Sequence, residues 1–470
     1  MNYEPLHQWI DAHKDELVAA IRELVAVKSV EGPSEPGAPF GPGPKAALDK
    51  FIEISDRMGF KTGVFEDQVG WADSGDPDAD YVGVLAHVDV VPEGEGWSCD
   101  PYEGKIEDGY LYGRGVADDK GPAVIGLFAM KALQECGVKL KHRLRVMVGT
   151  NEETGSKAVE HYVKSGMPLP LAGFTPDAEW PLINGEKGLA TLKMSASFAK
   201  GGEITVKSFE SGMAANAVPA KAVAVLNVPP HLHRKVERLM EHWVPGRDLT
   251  VDMKRDGDEV TFTVVGKSFH GMAPQRGASA AAELVALLRL LDIGGEQGAF
   301  FAAIDDAVGH QGFGQSIGMA CYDDISGFAS LCMGLMNKVG DAMEFTWNYR
   351  YPVTCDPAER NASLVAAAEK LGFKVLSESF TNPLYVPEDA PLVQKLMKAY
   401  REETGRDEKP FAIGGGTYAK AMNNMVAFGI CFPEEKHYIH EVDERWKIEN
   451  ILLTTKIIAR ALVELGEVAQ

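Results

Sequence analysis

The sequence predicts an α/β domain interrupted by an inserted α+β domain, and three observations carry that prediction. Short apolar runs at 81–86, 144–149 and 426–431 alternate with helical stretches, the pattern of a sheet covered by helices. The middle of the chain changes character, with strand-like runs at 204–209, 222–228 and 259–265 before a helix at 278–291. Long helices then return at 391–403 and 448–465, so the first domain resumes after the second has closed. A length of 470 residues suits this division, because a single core seldom grows past about 250–300 residues.

Each element has a local reason. Leu6, Trp9, Ile10, Leu17, Ile21, Leu24 and Val25 recur at helical spacing and predict one amphipathic N-terminal helix. A Gly/Pro-rich loop at 32–44 ends it, and a second helix follows at 46–58. The helix at 123–136 opens after Gly121 and Pro122, and the missing proline N–H has no helical partner to lose in a first turn. From 343 to 350 the chain alternates, with Met343, Phe345, Trp347 and Tyr349 on one face and Glu344, Thr346, Asn348 and Arg350 on the other. That alternation predicts a half-buried strand with a polar outer face.

Bulk properties exclude whole classes of partner. A formal charge of −21 repels nucleic-acid phosphates. No uncharged apolar run reaches the length of about 18 residues that a membrane span needs. The cysteines (Cys99, Cys136, Cys321, Cys332, Cys355 and Cys431) are scattered, without zinc-finger or redox spacing. Glu4, Asp11, Asp15 and Glu16 interrupt the N-terminal apolar residues, unlike an export signal. The expectation is a cytoplasmic protein with reduced thiols.

The chemistry-bearing residues gather where apolar segments stop. His87-Val88-Asp89 follows the first run, and Thr150-Asn151-Glu152-Glu153-Thr154 follows the second. Asp118-Asp119 precedes the helix between them, Asp177 lies in Pro176-Asp177-Ala178-Glu179, and His437-Tyr438-Ile439-His440-Glu441 comes late. Ligands of open α/β sheets collect beyond the carboxyl ends of strands, so these motifs can share one crevice. Imidazoles and carboxylates without a thiolate suit zinc, manganese or cobalt. Asp89, on the same side of its strand as His87, is placed to orient that imidazole through its second nitrogen. Each motif alone is weak, since adjacent acids ordinarily form a solvated surface or a helix N-terminal turn. Their conjunction is what points to a metal site.

In HVDVVP, GRGVADDKG, NEET, PDAE and the late histidine, the chain resembles the M20 metallopeptidase family along essentially its whole length. Within that family it most resembles the bacterial dipeptidase V group, the Xaa-His or carnosinase-like dipeptidases. The resemblance implies an α/β catalytic domain with an inserted α+β lid domain, the first from 1–186 and 383–470, the lid from 187–382. It implies two divalent metal ions, zinc first, with manganese and cobalt as alternatives. His87 and Asp177 would hold one ion and Glu153 and His440 the other, with Asp118 bridging them and a cis peptide joining it to Asp119. The late motif reads His440-Glu441-Val442-Asp443-Glu444 in place of the usual histidine followed by Asn-Glu, so His437 stands as a rival ligand.

By the same resemblance Glu152 is the general base and acid, Asp89 supports the ligands, and His270 donates to the oxyanion from the lid. Asn216 contacts substrate. Arg350 grips its α-carboxylate, a task suited to a planar guanidinium, and Gly415, Gly416 and Thr417 offer it backbone N–H groups. The plainer readings are a helix-capping His270, a surface salt bridge at Arg350 and a flexible turn at the glycines. The implied activity is hydrolysis of dipeptides, Xaa-His or β-Ala-Xaa among them, by a monomer with a small peptide as its partner. The alternatives are an N-acyl amino-acid deacylase of acetylornithine or succinyl-diaminopimelate type, and a non-catalytic metal-binding protein.

Overall fold

The computed structural model describes residues 1–469. The chain forms two compact units: Met1–Asn184 with Val386–Phe411 and Gly416–Gln470, and Gly185–Tyr385 with Ala412–Gly415. The four residues Ala412–Gly415 thus belong with the inserted unit, although the first unit flanks them in sequence.

In the first unit the sheet runs, in spatial order, Lys61–Phe65, Val69–Ser74, Arg143–Gly149, Tyr81–His87, Ala172–Thr175 and Met425–Ala427. Its centre is parallel: Tyr81–His87 pairs in parallel with both Arg143–Gly149 and Ala172–Thr175, and Met425–Ala427 continues the pattern. Every residue of Tyr81–His87 is buried, as a parallel strand covered on both faces must be. Helices Lys120–Glu135 and Ile448–Gly466 contribute Ile125, Leu127, Ile451 and Ile458 to the core around it. The register sets His87 opposite Gly149, so the two central strands end level and release their following loops at the same edge.

The second unit is built on an antiparallel sheet in the order Thr250–Asp256, Glu259–Val265, Lys221–Asn227, Thr205–Ser211, Ser330–Val339, Ala342–Tyr351, Gly188–Ser197 and Lys374–Thr381. Helices Ala280–Leu290, Gly295–Ala307 and Pro357–Lys370 supply the remainder of its separate core, in which Phe345 and Trp347 meet Phe373.

Three expectations are corrected. The single N-terminal helix is two, Glu4–Ala12 and Lys14–Val25, broken at His13. The His13 imidazole stacks on Trp9 at 3.8 Å, and its Nδ1 lies 2.7 Å from the Trp9 carbonyl. Leu6, Ile10, Leu17 and Ile21 stay buried on both sides of the break, so the apolar periodicity reads straight through it. The run at 426–431 is a strand only over Met425–Ala427, because beyond it the main chain pairs with a loop: Ile430 N–H donates to the Ala178 carbonyl and Trp180 N–H to Cys431. Gly429 permits that approach, since a Cβ there would stand 2.3 Å from the Glu179 carbonyl carbon.

On strand Ala342–Tyr351 the polar face reaches solvent only at Glu344, which pairs with Lys193 at 2.7 Å. Thr346, Asn348 and Arg350 are 6%, 3% and 2% exposed. Gly271 lies against the Asn348 amide, and the Gly414 carbonyl accepts from Arg350. Polar atoms of the three side chains pair with one another and with the adjoining strands: Asn348 Nδ2 donates to Thr191 Oγ1, and Thr346 Oγ1 accepts from Leu335 N–H.

A buried acid in the second unit provides a test of this packing. Glu283, 2% exposed, accepts from Trp243 Nε1 at 2.8 Å and from Gly246 N–H at 3.2 Å, and pairs with His310 at 3.3 Å. Burial opposes its charge, but the donors, His310 foremost, hold its pKa below the usual value, and the same hydrogen bond raises that of His310. The His310 contribution is complete below its unfolded pKa of about 6.5 and fades as pH rises through its raised folded value; the Glu283 contribution is lost as pH falls below about 4.5. His310→Gln should therefore destabilise the protein more at pH 5.5 than at pH 8.5. Half exposure of the imidazole limits the effect to about 1 kcal/mol, readable in thermal unfolding at the two pH values.

Candidate metal centre

The level ends of the parallel strands bring the predicted residues together. His87 closes Tyr81–His87, Glu152 and Glu153 follow Arg143–Gly149, and Asp177 follows Ala172–Thr175. Asp118 and Asp119, joined by a cis peptide, sit where helix Lys120–Glu135 begins. One ligand atom each from His87, Glu152 and Asp177 lie within 4.8 Å of one another, and the same holds for His87, Asp118 and Glu153.

Asp118 stands at the middle. Its Oδ1 is 2.9 Å from His87 Nε2 and its Oδ2 is 2.9 Å from His440 Nε2, so one carboxylate spans two imidazoles. Glu153 approaches His440 at 3.1 Å from the other side, and Asp177 lies 3.9 Å from His87. His437 is directed elsewhere, with Nε2 3.2 Å from the Phe432 carbonyl and Nδ1 3.9 Å from Glu179.

The electrostatics follow from crowding acids in a buried place. Burial and the charge of Asp118 push Asp177 up to about 8, and burial together with Asp177 raises Glu152 well above the carboxylate range. Burial disfavours a charged His440, yet hydrogen bonds to Asp118 and Glu153 outweigh it and raise its pKa to about 11. Asp118 shows the converse: burial works to raise it, but the two imidazoles hold it far below its normal value. Asp119 contributes Oδ2 to the His87 N–H at 3.2 Å, while its buried Oδ1 has no hydrogen-bond partner among the described residues.

Asp89 lies at the second nitrogen of His87 and carries a further task. The His87 Nδ1 rests 3.0 Å from the Asp89 main-chain carbonyl, with the nearer carboxylate oxygen at 3.5 Å. The carboxylate also accepts from Glu152 N–H at 3.0 Å and Glu153 N–H at 3.1 Å, fixing the turn that carries both glutamates. The reason is geometric: the turn presents two adjacent amides in a fork that a carboxylate can bridge.

Two contributors escaped the sequence reading. Tyr418 is fully buried, meets the His87 ring edge-on at 6.0 Å, and receives the Asn151 N–H at 3.4 Å. Gly149 makes room for it, since a Cβ there would lie 2.2 Å from the Tyr418 hydroxyl. Tyr418 directly follows the glycine-rich segment, yet an aromatic after a turn carries no signal of its own. Glu444 is also fully buried; it pairs with Arg114 at 2.7 Å and accepts from the Gly115 and Ala117 N–H groups. Its presence in the late motif was visible, but not its target.

In the inserted unit Asn216, His270 and Arg350 converge. Gly271 N–H donates to the Asn216 carbonyl at 2.7 Å, and Ala217 bridges His270. Arg350 Nη2 lies 3.4 Å from His270 Nε2, Nε donates to Asn348 Oδ1 at 3.0 Å, and Nη1 donates to the Gly414 carbonyl at 2.5 Å. These partners carry no formal negative charge, and burial lowers the Arg350 pKa to about 10. The surface salt bridge does not describe it. Gly415 belongs to this unit and Gly416 and Thr417 to the first, where the Thr417 hydroxyl caps a short helix by accepting from Ala419 N–H at 3.1 Å.

Residues 83–464 match the sequence profile of Peptidase family M20/M25/M40. The chain belongs to this family. It is a peptide-bond hydrolase of a metal-dependent kind, and the mixed imidazole and carboxylate cluster is a donor set that fits divalent cations. A Bacillus subtilis (strain 168) relative named "Putative dipeptidase YtjP" is 33% identical over 466 residues, covering 97% of this chain and 98% of the relative. A Staphylococcus saprophyticus relative, "Putative dipeptidase SSP1012", is 32% identical over 463 residues, covering 97% and 98%.

Among solved structures, human carnosine dipeptidase 1 shares the fold with a TM-score of 0.59 at 16% identity, covering 99% of each chain. The di-peptidase Dug1p from Saccharomyces cerevisiae shares it with a TM-score of 0.59 at 15% identity, covering both chains completely. Among the described residues of this M20 peptidase, no helix is long and apolar enough to cross a membrane.

The Asp89 fork is directly testable. Asp89→Asn leaves one acceptor oxygen and turns an NH₂ toward the second amide. The expected loss is about 1.5–3 kcal/mol of stability in urea unfolding, the range for hydrogen bonds to charged groups. Amide exchange should accelerate at Glu152 and Glu153 and stay unchanged in strand Arg143–Gly149; uniform exchange across both would refute the fork.

Proposed function

We propose that this peptidase is a dipeptidase that cleaves the single peptide bond of short peptides with a pair of zinc ions. The observation that carries the reading is the Asp118 carboxylate spanning His87 and His440, with Glu153 and Asp177 beside them. The dipeptidase names of relatives about one-third identical along nearly the whole chain support the substrate class. His87 and Asp177 would hold one ion, Glu153 and His440 the other, and Asp118 both. Bound there, the ions would supply Lewis acidity, lowering the pKa of water and polarising a carbonyl.

The protein's own groups do the rest. Glu152 takes a proton from the attacking water on a carboxylate oxygen and delivers it to the departing amine nitrogen, a general base turned general acid. Burial and neighbouring Asp177 raise its affinity for that proton. Asp89 holds the Glu152–Glu153 turn through its two main-chain amides. In the inserted unit Arg350 receives the substrate carboxylate. It is suited to this because its hydrogen bonds go to groups without negative charge, leaving its positive charge for an incoming anion. His270 donates to the developing oxyanion, and Asn216 contacts the substrate backbone.

Stripping the metals and restoring Zn²⁺, Mn²⁺ or Co²⁺ separately, then assaying Ala-His, β-Ala-His and N-acetyl amino acids, tests both cofactor and substrate. Dipeptide turnover that returns best with zinc is the expected result; turnover of N-acetyl amino acids alone would replace this reading with a deacylase. Glu152→Gln should retain bound metal and lose turnover by roughly 10²–10⁴-fold. Near-normal activity of that variant would remove Glu152 from the mechanism.

A further inference from the structure

Glu444 lies outside every metal-ligand group, yet more donors converge on it than on any acid described above. Its Oε1 accepts from the N–H groups of Gly115 at 3.1 Å, Ala117 at 3.0 Å and Asp118 at 3.3 Å. Its Oε2 accepts from Arg114 Nη1 at 2.7 Å and shares the Gly115 N–H at 3.2 Å, while its main-chain carbonyl accepts from Gly113 N–H at 2.9 Å. The side chain is fully buried. Gly115 adopts φ +87°, a left-handed conformation open to glycine, and the loop turns its amides inward onto the carboxylate.

Arg114 completes a closed circuit. Its Nη2 donates to the carbonyls of Glu93 at 3.3 Å and Glu441 at 3.2 Å, and its guanidinium lies over the Trp97 ring at 5.4 Å. One clamp therefore joins two segments distant in sequence. The loop at 113–118 ends in Asp118, and the segment at 440–444 begins with His440, the two residues that face each other at 2.9 Å.

We propose that Glu444 is a positioning residue of the metal centre, holding the 113–118 main chain and the 440–444 segment in the register that lets Asp118 span His87 and His440. The proposal rests on the metal reading of that cluster. It goes beyond it by assigning control of the bridging geometry to an acid that touches no ligand atom of the ions. A carboxylate is required in particular. Every neighbour of its two oxygens is a donor, so an amide in the same place would turn its NH₂ against either Arg114 or the loop N–H groups.

The experiment compares the full-length wild type, Glu444→Gln and a control, Glu283→Gln, in which a comparably buried acid of the other unit is neutralised. Each metal-free protein is titrated with Zn²⁺ against a chromogenic chelator, and amide exchange is followed in the metal-free state. Glu444→Gln should bind zinc roughly 10- to 100-fold more weakly, the range for lost support of metal ligands. Amides of Gly115, Ala117 and Asp118 should exchange faster in that variant. Glu283→Gln should lower the unfolding temperature and leave zinc affinity at the wild-type value. Wild-type affinity in Glu444→Gln overturns the proposal, as does an equal loss of affinity in both variants. Absence of zinc binding by the wild type would instead sink the metal reading itself. Where Glu444→Gln does not fold, the wild type decides: protected amides at Gly115, Ala117 and Asp118 support the clamp, and exchange at the rate of an exposed loop overturns it.

Discussion

A buried carboxylate held between two imidazoles is the arrangement on which the rest of this protein depends. Asp118 meets His87 and His440 at equal distances, with Glu152, Glu153 and Asp177 close by. Acids brought together away from water repel one another and lose hydration, and both effects favour the protonated form. The raised pKa values of Asp177 and Glu152 are the direct expression of that cost. A fold tolerates such a cluster where something else gains from it, and divalent cations are the partners that turn its excess negative charge into binding energy.

Holding that cluster in place falls to the main chain as much as to side chains. Two adjacent amides fix Asp89 beneath the glutamates, and a set of loop amides closes on Glu444 beneath Asp118. In both cases a buried carboxylate takes up neighbouring main-chain N–H groups and so holds the loop that presents the cluster. Gly149 serves the same end by absence, since any Cβ there would occupy the space of the Tyr418 hydroxyl beside His87. The parallel register then does what no single residue can, ending strands from separate parts of the chain at one level.

The inserted unit follows a different logic. Its polar strand face is buried from Thr346 to Arg350, and Arg350 spends its hydrogen bonds on an amide oxygen, a carbonyl and an imidazole. A guanidinium desolvated among partners without negative charge retains most of its attraction for an anion, because little opposing charge screens it. The acidic cluster suits cations, whereas the proposed role of Arg350 is to receive an anion.

Much of this was present in the one-dimensional pattern. Uninterrupted apolar runs marked the parallel strands, and the abrupt appearance of His87, Glu152-Glu153 and Asp177 after them marked the crevice, because strand ends are where an α/β sheet exposes its loops. Periodicity could not see the break at His13, where a stacked imidazole interrupts a helix without disturbing its apolar stripe. Nor could alternation reveal that Thr346, Asn348 and Arg350 are buried, since a polar face reads the same under water or under a covering loop. Which late histidine faces Asp118, which amides donate to Asp89 and how deeply Glu444 is buried were decided by folding alone. Local sequence dictates what each residue can donate, accept or bury, whereas which partner arrives from tens or hundreds of positions away is set by strand register and loop packing.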